Sequence, residues 1–320
     1  MESDIRETLG KKVNQMLYPK RLQKGDTIGI IAPASPPGQK DLHRALPFFE
    51  NIGLNVKLGR HITSVHGYLA GTDDERLEDL HEMIADEAIK GIVFARGGYG
   101  TGRLVSAVNY QLIRENPKIM WGYSDLTYLH TAIRQLTGLI TFHGPMVASD
   151  IGKHQFDDLS RSMFDQLFTP MMLHYTEAIS PLHVIVGGEA SGPIVGGNLS
   201  LIVSTLKTPY ELDTTHKILL LEDIGEDLYR VDALLNQLTL AGKLTDVAGI
   251  IIGDFQMKQS EANTSQSLQA IFHHYFHTLE VPIVSGFRIG HCFPHFAIPL
   301  GVKAILSAKN KTLTIYPGVK

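Results

Sequence analysis

The sequence contains a single cysteine, Cys292, among its 320 residues. One thiol excludes an internal disulfide and any zinc site built on several thiolates. Long apolar runs are also missing, so we expect no membrane-spanning helix and no membrane partner. Basic clusters are missing too: Lys and Arg total 29 against 33 Asp and Glu, for a net charge of −4. With this charge balance we do not expect nucleic acid as a partner.

The beginning of the chain, Met1-Glu2-Ser3-Asp4, is charged and has no apolar stretch that ends in small residues. We therefore expect no secretory signal there, and a cytoplasmic location. Residues 1–20 are predicted to form a short helical extension before the main body. A chain of this length exceeds what one hydrophobic core usually serves, which predicts two domains.

Residues 1–168 alternate between apolar strand patterns and amphipathic helix patterns. Thr72 and Glu75, three residues apart, have the spacing of a capping box at the start of one helix. Apolar strands separated by helices indicate a parallel sheet, so we predict a doubly wound α/β domain of the Rossmann-like or flavodoxin-like kind. The predicted strands are 27–32, 55–58, 91–95 and 118–121, and the predicted helices are 40–52 and 73–86.

The pattern changes after residue 168. Proline and glycine interrupt residues 169–190, which predicts a crossing between domains. Residues 191–320 contain mainly short strand patterns, so we predict a smaller β-rich, barrel-like domain. Its predicted strands are 217–221, 249–252, 283–285, 302–306 and 312–316, and its predicted helices are 199–206 and 229–241.

Ser124 lies between the apolar run Ile119-Met120-Trp121 and a segment with helical apolar spacing. Strand, sharp turn and helix in this order hold a hydroxyl at a helix start, where developing negative charge is stabilised. The pattern departs from G-x-S-x-G because Leu126 replaces the last glycine. Ser124 is thus a candidate nucleophile, and the alternative is that Ser124 or Asp125 only caps the helix.

A serine nucleophile needs a histidine as base and a third group that orients this base. Glu222 follows three leucines at the end of a strand pattern, and His291 follows a glycine at the end of another short apolar element. Both are candidates for these roles. The alternatives are a solvated strand end for Glu222 and a structural role for His291.

Cys292 and the histidines His273 and His277 are further reactive side chains. Cys292 adjoins His291, but neighbouring side chains of an extended segment point to opposite sides, which argues against a cysteine nucleophile. His273 and His277 have the i, i+4 spacing of metal ligands but lack the glutamate of H-E-x-x-H, so no metal is expected. The glycines of residues 97–102 fit no nucleotide motif and suit backbone contact with an oxyanion.

Several ordered motifs resemble the LD-carboxypeptidases of peptidoglycan recycling and the related microcin-immunity peptidases. The resemblance covers nearly the whole chain after residue 20. Its motifs lie at 25–29, 32–36, 67–73 with Arg76, 96–100, 122–125, 143–146, 196–199, 221–223 and 290–291. The sequence departs from the family at Lys207 and Ala233, where relatives commonly have glycine and arginine.

The resemblance implies a serine carboxypeptidase with the triad Ser124, Glu222 and His291 and no cofactor. It implies release of a terminal D-amino acid, D-alanine in particular, from murein tetrapeptides, and it suggests a homodimer. The oxyanion hole would consist of the backbone N–H groups of Asp125 and Gly98. The substrate carboxylate would be bound by Arg96 or by the region of Asn198, although Arg96 could instead form a structural ion pair.

Three alternatives remain at this stage. An immunity-type peptidase of the same family would cleave an amide that joins a peptide or amino acid to a nucleotide-like group. Such an enzyme needs an aromatic surface, which the single tryptophan, Trp121, does not supply from a buried strand, although a tyrosine or phenylalanine could. A peptide-binding protein with an inert serine and a metallohydrolase are the other two alternatives.

Overall fold

The computed structural model describes residues 15–258 and 266–320, so most of the predicted helical extension lies outside the described residues. The chain divides into two compact units. The first runs to Met171 and also includes Phe296–Gly301 and Pro317–Lys320. The second comprises Met172–His295 and Val302–Tyr316.

The first unit contains a six-stranded sheet with the order β2-β1-β3-β4-β5-β12. Strands β1 to β5 are parallel to their neighbours, and β12 is antiparallel to β5. The predicted doubly wound α/β fold is therefore confirmed, with the flavodoxin-like order 2-1-3-4-5. The strands are β1 (Thr27–Ile31), β2 (Asn55–Leu58), β3 (Ile89–Phe94), β4 (Ile119–Trp121), β5 (Thr141–His143) and β12 (Ile298–Leu300).

Helices and short turns connect these strands. The predicted capping box is present: Thr72 accepts from the N–H of Glu75 at 3.3 Å, and the Glu75 carboxylate accepts from the N–H of Thr72 at 2.7 Å. The helices are α1 (Gln39–Asn51), α2 (Asp73–Ala85), α3 (Tyr110–Glu115), α4 (Thr127–Thr137) and α5 (Asp158–Ser162). Shorter turns comprise the 3-10 segments Thr101–Arg103, Ser124–Leu126 and Met163–Leu167 and the π-helical segment Val147–Ile151.

The strand order reverses between β1 and β3, and open parallel sheets bind ligands at such a switch point, beyond the carboxyl ends of the strands. The loops that follow β1 and β3 meet there: the N–H of Ser35 donates to the carbonyl of Gly97 at 3.2 Å. Ser124 follows β4, the next strand of the sheet. The topology thus brings the predicted nucleophile and the glycine loop to one edge of the sheet.

The second unit contains an eight-stranded sheet with the order β6-β14-β13-β8-β9-β10-β11-β7. Strands β8 to β11 are parallel, and the flanking strands are antiparallel. Among the described residues, the end strands β6 and β7 each pair with only one other strand, so the sheet is open. The expected barrel-like closure is wrong. The strands are β6 (Leu173–Tyr175), β7 (His183–Val186), β8 (Glu189–Asn198), β9 (Ile218–Glu226), β10 (Gly249–Met257), β11 (Ile283–Ser285), β13 (Lys303–Ser307) and β14 (Thr312–Ile315).

Three helices accompany this sheet: α6 (Leu199–Ser204), α7 (Leu228–Leu240) and α8 (Leu268–Phe276). Their apolar faces and the parallel strands form one hydrophobic cluster, in which Leu219, Ile250 and Phe276 are fully buried. Burial of this apolar area is what holds the helices on the sheet, at about 25 cal/mol per Å². The unit is therefore an α/β sheet with antiparallel edges, and the carboxyl ends of its parallel strands are a candidate binding edge.

Lys207 has a φ of 61°, in the left-handed region that favours glycine. Relatives commonly have glycine at this position, according to the family resemblance. The backbone conformation here is therefore one that glycine adopts more easily than lysine. No helix among the described residues is both long and apolar enough to cross a membrane.

Candidate active site

Ser124 lies on a strained turn between β4 and α4. Its φ is 65°, a left-handed conformation that costs a non-glycine residue on the order of 1–3 kcal/mol. Its side chain is partly exposed, whereas its neighbours Tyr123 and Asp125 are buried. A single strained, partly exposed residue between buried neighbours at the start of a helix is typical of a nucleophile elbow.

Buried polar contacts hold this turn in place. The Nε2 of His130 donates to the carbonyl of Gly122 at 2.7 Å, and the Oγ1 of Thr127 donates to the carbonyl of Ser124 at 2.7 Å. Burial lowers the pKa of His130 to about 3, so this imidazole is neutral near pH 7 and acts as a fixed donor. His130 therefore stabilises the turn and is unsuited to be the catalytic base.

The glycine loop after β3 lies directly against Ser124. A Cβ placed on Gly97 would be 3.0 Å from the Cβ of Ser124, 3.2 Å from its Oγ and 3.3 Å from the backbone nitrogen of Asp125. Gly98 has a φ of 105°, and a Cβ there would be 2.5 Å from the Oγ of Ser35. The close packing of the loops after β1, β3 and β4 thus depends on the lack of side chains at residues 97 and 98.

Asp125 anchors the other side of the turn. Its Oδ2 accepts from the N–H of Thr101 at 2.8 Å, and its carbonyl accepts from the hydroxyl of Thr101. Burial raises the pKa of the Asp125 carboxyl, and the Thr101 hydrogen bonds partly oppose this shift. No hydrogen bond between described residues uses the backbone N–H of Asp125 or of Gly98. Both N–H groups are therefore available to an incoming acceptor.

Two arginines near the glycine loop differ in their surroundings. Arg76 is 1% exposed and donates to the carbonyls of Pro33 and Gly100 and to the carboxylate of Asp73, so it ties the β1 and β3 loops together. Arg96 is exposed, and its Nη1 donates to the carbonyl of Pro36 at 3.2 Å. No ion pair of Arg96 occurs within residues 15–258 and 266–320. Its guanidinium therefore keeps donors for a ligand.

Glu222 and His291 form a hydrogen-bonded pair in the second unit. The Nδ1 of His291 donates to the Oε2 of Glu222 at 2.8 Å. The glutamate side chain is fully buried, and the histidine side chain is 12% exposed. A buried carboxylate on Nδ1 fixes the tautomer with the proton on that nitrogen and stabilises the imidazolium. The pair has the arrangement of a general base and its orienting acid.

The backbone around this pair leaves room only for glycine. Gly290 has a φ of 127°, and a Cβ there would be 2.8 Å from the Oε2 of Glu222. A Cβ on Gly253 would be 3.3 Å from the Cβ of Glu222 and 2.2 Å from the carbonyl oxygen of Ile289. Strands β9 and β10 and the loop before His291 therefore enclose the Glu222 carboxylate from several sides.

Asn198 is opposite Glu222 in the parallel pairing of β8 and β9. Its Nδ2 donates to Asp223 at 3.0 Å, and its Oδ1 accepts from the N–H of Leu201 at 3.3 Å, which caps α6. Asp223 also accepts from the N–H and hydroxyl of Ser200. Burial raises the pKa of Asp223, and these hydrogen bonds oppose the shift. The amide of Asn198 is thus committed to structural hydrogen bonds.

Cys292, His273 and His277 have surroundings that differ from those of the three triad candidates. Cys292 is buried, and burial raises the pKa of its thiol far above the usual value, which suppresses the thiolate. The rings of His273 and His277 stack 4.7 Å apart. Within residues 15–258 and 266–320, no group of three or more His, Cys, Asp or Glu side chains is arranged to hold a metal ion.

Comparison with known proteins identifies the family. The LD-carboxypeptidase N-terminal domain matches residues 28–144, and the LD-carboxypeptidase C-terminal domain matches residues 191–306. The chain belongs to the LD-carboxypeptidase family. The predicted membership and the predicted carboxypeptidase activity are both confirmed.

Individual relatives span almost the same length. The chain is 51% identical over 302 residues to the probable murein peptide carboxypeptidase of Bacillus subtilis, which covers 94% of this chain and 95% of the relative. It is 30% identical to the murein tetrapeptide carboxypeptidase of Pseudomonas aeruginosa, with 88% and 94% covered. A structure of the microcin self-immunity protein MccF with glutamyl sulfamoyl guanosine is 25% identical, with a TM-score of 0.87 over 95% of this chain and all of that one.

Three residues at the two candidate edges of this LD-carboxypeptidase are not predicted from the sequence: Ser35, Thr101 and Asp254. Ser35 and Thr101 hold the glycine loop, and Asp254 lies on β10 beside Glu222 of β9. Ser35 follows β1 in the loop at the switch point, so the strand order offered a signal for it. No local pattern indicated the other two.

Proposed function

We propose that this LD-carboxypeptidase releases a C-terminal D-amino acid, D-alanine in particular, from murein tetrapeptides during peptidoglycan recycling. The observation that carries the proposal is the Nδ1 to Oε2 hydrogen bond between His291 and buried Glu222. The strained, partly exposed Ser124 supports it from the first unit. The names of the two murein carboxypeptidase relatives give the substrate class.

In the proposed mechanism, the neutral Nε2 of His291 takes the proton of the Ser124 hydroxyl while Ser124 attacks the scissile carbonyl. Glu222 keeps the imidazole oriented and stabilises its cation. The protonated His291 then donates to the leaving amine of the D-amino acid, and an acyl-enzyme remains. His291 next activates water, which releases the shortened peptide and restores Ser124.

The tetrahedral oxyanion would accept from the N–H groups of Asp125 and Gly98. Each such donor typically contributes about 3 kcal/mol of transition-state stabilisation. The terminal carboxylate would bind Arg96, whose exposed guanidinium can donate bidentately. Asn198 is the other proposed contact, and its amide would have to exchange its bond to Asp223 for one to the substrate. Arg96 is therefore the better supported of the two.

Mass spectrometry of L-Ala-D-Glu-diaminopimelate-D-Ala tests the proposal directly. We expect the wild type and a Ser162→Ala control, which makes the same change at an exposed serine, to remove one alanine. Ser124→Ala should leave the peptide intact. Cleavage by Ser124→Ala would eliminate Ser124 as nucleophile, and an unchanged peptide with wild-type protein would overturn the substrate.

The same proteins separate the other classes of function. A fluorophosphonate probe should label the wild type and not Ser124→Ala; a peptide-binding protein with an inert serine would label neither. Activity should survive EDTA, and its loss would favour a metallohydrolase.

Replacement of Arg96 by Gln should raise KM more than it lowers kcat, because it removes substrate binding and leaves the triad intact.

A second substrate class has one observation in its favour. Tyr68 and Tyr99 are 65% and 52% exposed, with ring centroids 5.6 Å apart. An exposed aromatic pair could stack on a nucleobase, as an immunity-type peptidase requires. Trp121 cannot, because it is fully buried against Phe164. Hydrolysis of a glutamyl sulfamoyl nucleoside with no activity on the murein peptide would establish this alternative.

The proposal also includes a cytoplasmic homodimer, as the family resemblance suggests. One chain has a mass of 35.3 kDa, and light scattering after size-exclusion chromatography should give twice that mass. Activity on murein peptides should be found in the cytosolic fraction. A monomeric mass or activity confined to the cell envelope would refute the corresponding part.

A further inference from the structure

Strand β10 contains a bulge beside the Glu222–His291 pair. Ile252 pairs with Leu221, but the next paired residue of β10 is Phe255, opposite Asp223. Two residues of β10, Gly253 and Asp254, therefore face a single residue of β9, Glu222. A bulge of this kind re-aims one side chain and is often found next to active sites.

The bulge is fixed by the loop that leads to His291. The N–H of Asp254 donates to the carbonyl of Ile289 at 2.9 Å, and the N–H groups of Gly286 and Phe287 donate to the carbonyl of Ile252 at 3.2 and 3.3 Å. The backbone of Asp254 is therefore bonded to Ile289, which precedes His291 by two residues. It also lies directly beside Glu222 of β9. This backbone arrangement places a second carboxyl at the pair.

The Asp254 carboxyl is costly where it lies. Its Oδ2 is buried and has no hydrogen-bond partner among the described residues. An unsatisfied buried oxygen is unfavourable and calls for a functional or structural reason. Neither the hydrophobic cluster of this unit nor the capping of its helices uses Asp254.

The charges around Asp254 belong to the proposed catalytic pair and its loop. Burial raises the pKa of Asp254 most strongly, and the negative charge of Glu222 raises it further. The positive charges of Arg288 and protonated His291 lower it. Cys292 also lies in this group, since the charge of Asp254 raises the pKa of its thiol. Because pairwise charge coupling is reciprocal, an ionised Asp254 favours the imidazolium of His291 by as much as His291 favours the carboxylate.

We propose that Asp254 is a positioning residue for catalysis, a second carboxylate that stabilises the imidazolium of His291 alongside Glu222. It touches no reacting atom in this role and acts through the histidine. The role rests on the proposed function only in assigning His291 as the base. The coupling between the two side chains is a property of the folded second unit and can be measured without substrate.

NMR titration of the His291 ring C2–H, assigned with His291→Gln, tests the coupling. In Asp254→Asn, which keeps the shape and removes the charge, we expect the His291 midpoint to fall by about one pH unit. Asp246→Asn removes a charge from an exposed aspartate of the same unit and should leave the midpoint unchanged. An unchanged midpoint in a folded Asp254→Asn would overturn the proposal.

A measurement on the wild type covers the case in which Asp254→Asn does not fold. The ¹³Cγ shift of Asp254 should show an inflection at the midpoint of His291, and a titration curve without that inflection would overturn the coupling. The acid limb of kcat/KM separates this proposal from the proposed function. It should move to lower pH with the NMR midpoint; if the midpoint moves and the limb does not, the coupling holds and His291 is not the base.

Discussion

Gly97→Ala should disable the site without unfolding the protein. The added methyl carbon would lie 3.0 Å from the Cβ of Ser124, 3.2 Å from its Oγ and 3.3 Å from the nitrogen of Asp125. These separations are shorter than the roughly 3.5–4.0 Å at which carbon contacts are optimal. The methyl group would therefore crowd both the attacking hydroxyl and a proposed oxyanion donor.

The expected loss follows from these contacts. Loss of one oxyanion donor costs about 10²–10³ in kcat, or about 3–4 kcal/mol. Gly97 has no left-handed φ, so alanine is compatible with its backbone, and overpacking should lower the free energy of unfolding by about 1–3 kcal/mol. The assay is kcat for D-alanine release, with urea unfolding in parallel. Gly187→Ala is the control, because no atom lies within 4 Å of its added Cβ. Wild-type kcat in a folded Gly97→Ala would refute the reasoning.

Three further predictions follow from the same geometry. In urea unfolding, Ser124→Gly should have a free energy of unfolding about 1 kcal/mol higher than that of Ser124→Ala, because glycine relieves the strain of the φ of 65°. Equal stabilities would contradict strain at this turn. Glu222→Gln should lower kcat by about 10²–10⁴ with little change in KM, and near wild-type turnover would rule out its orienting role. Because the folded-state pKa of His130 is lowered to about 3, the unfolded chain binds the proton more readily, and stability should fall from about pH 6.5 towards pH 3 by roughly 5 kcal/mol. His130→Asn should flatten this part of the urea-stability profile, and an unaltered slope would show that another group causes it.

Strands β1, β3 and β4 of the first unit were predicted from the sequence because each is largely a continuous apolar run, whereas the three-residue strands β5 and β12 were not predicted. Such runs, separated by helix patterns, predict position and direction at once, as for β1 and β3. Strand β8 was not predicted, because glycines and a proline interrupt its sequence. It forms because it pairs with β9 on one side and with β13 on the other. The barrel-like expectation failed because it weighed strand number and not the parallel pairing of β8 to β11.

The candidate site shows the same division. Ser124, Glu222 and His291 were predicted because each follows a short apolar element, where polar groups of an α/β sheet collect. Asp254 was not, because its position depends on a register shift against β9. A bulge is a property of two strands together, so the sequence of one strand could not reveal it.

The route of the chain constrains when the first sheet can form during synthesis. Strand β12, which pairs with β5 at the sheet edge, comes from residues 298–300, and the N–H of Arg21 donates to the carbonyl of Lys320. A ribosome must therefore translate residues 172–295 of the second unit, including Glu222 and His291, before the sheet that carries Ser124 can be completed. The emerging nucleophile is thus always attached to an unfinished sheet until the proposed base and acid have been synthesised.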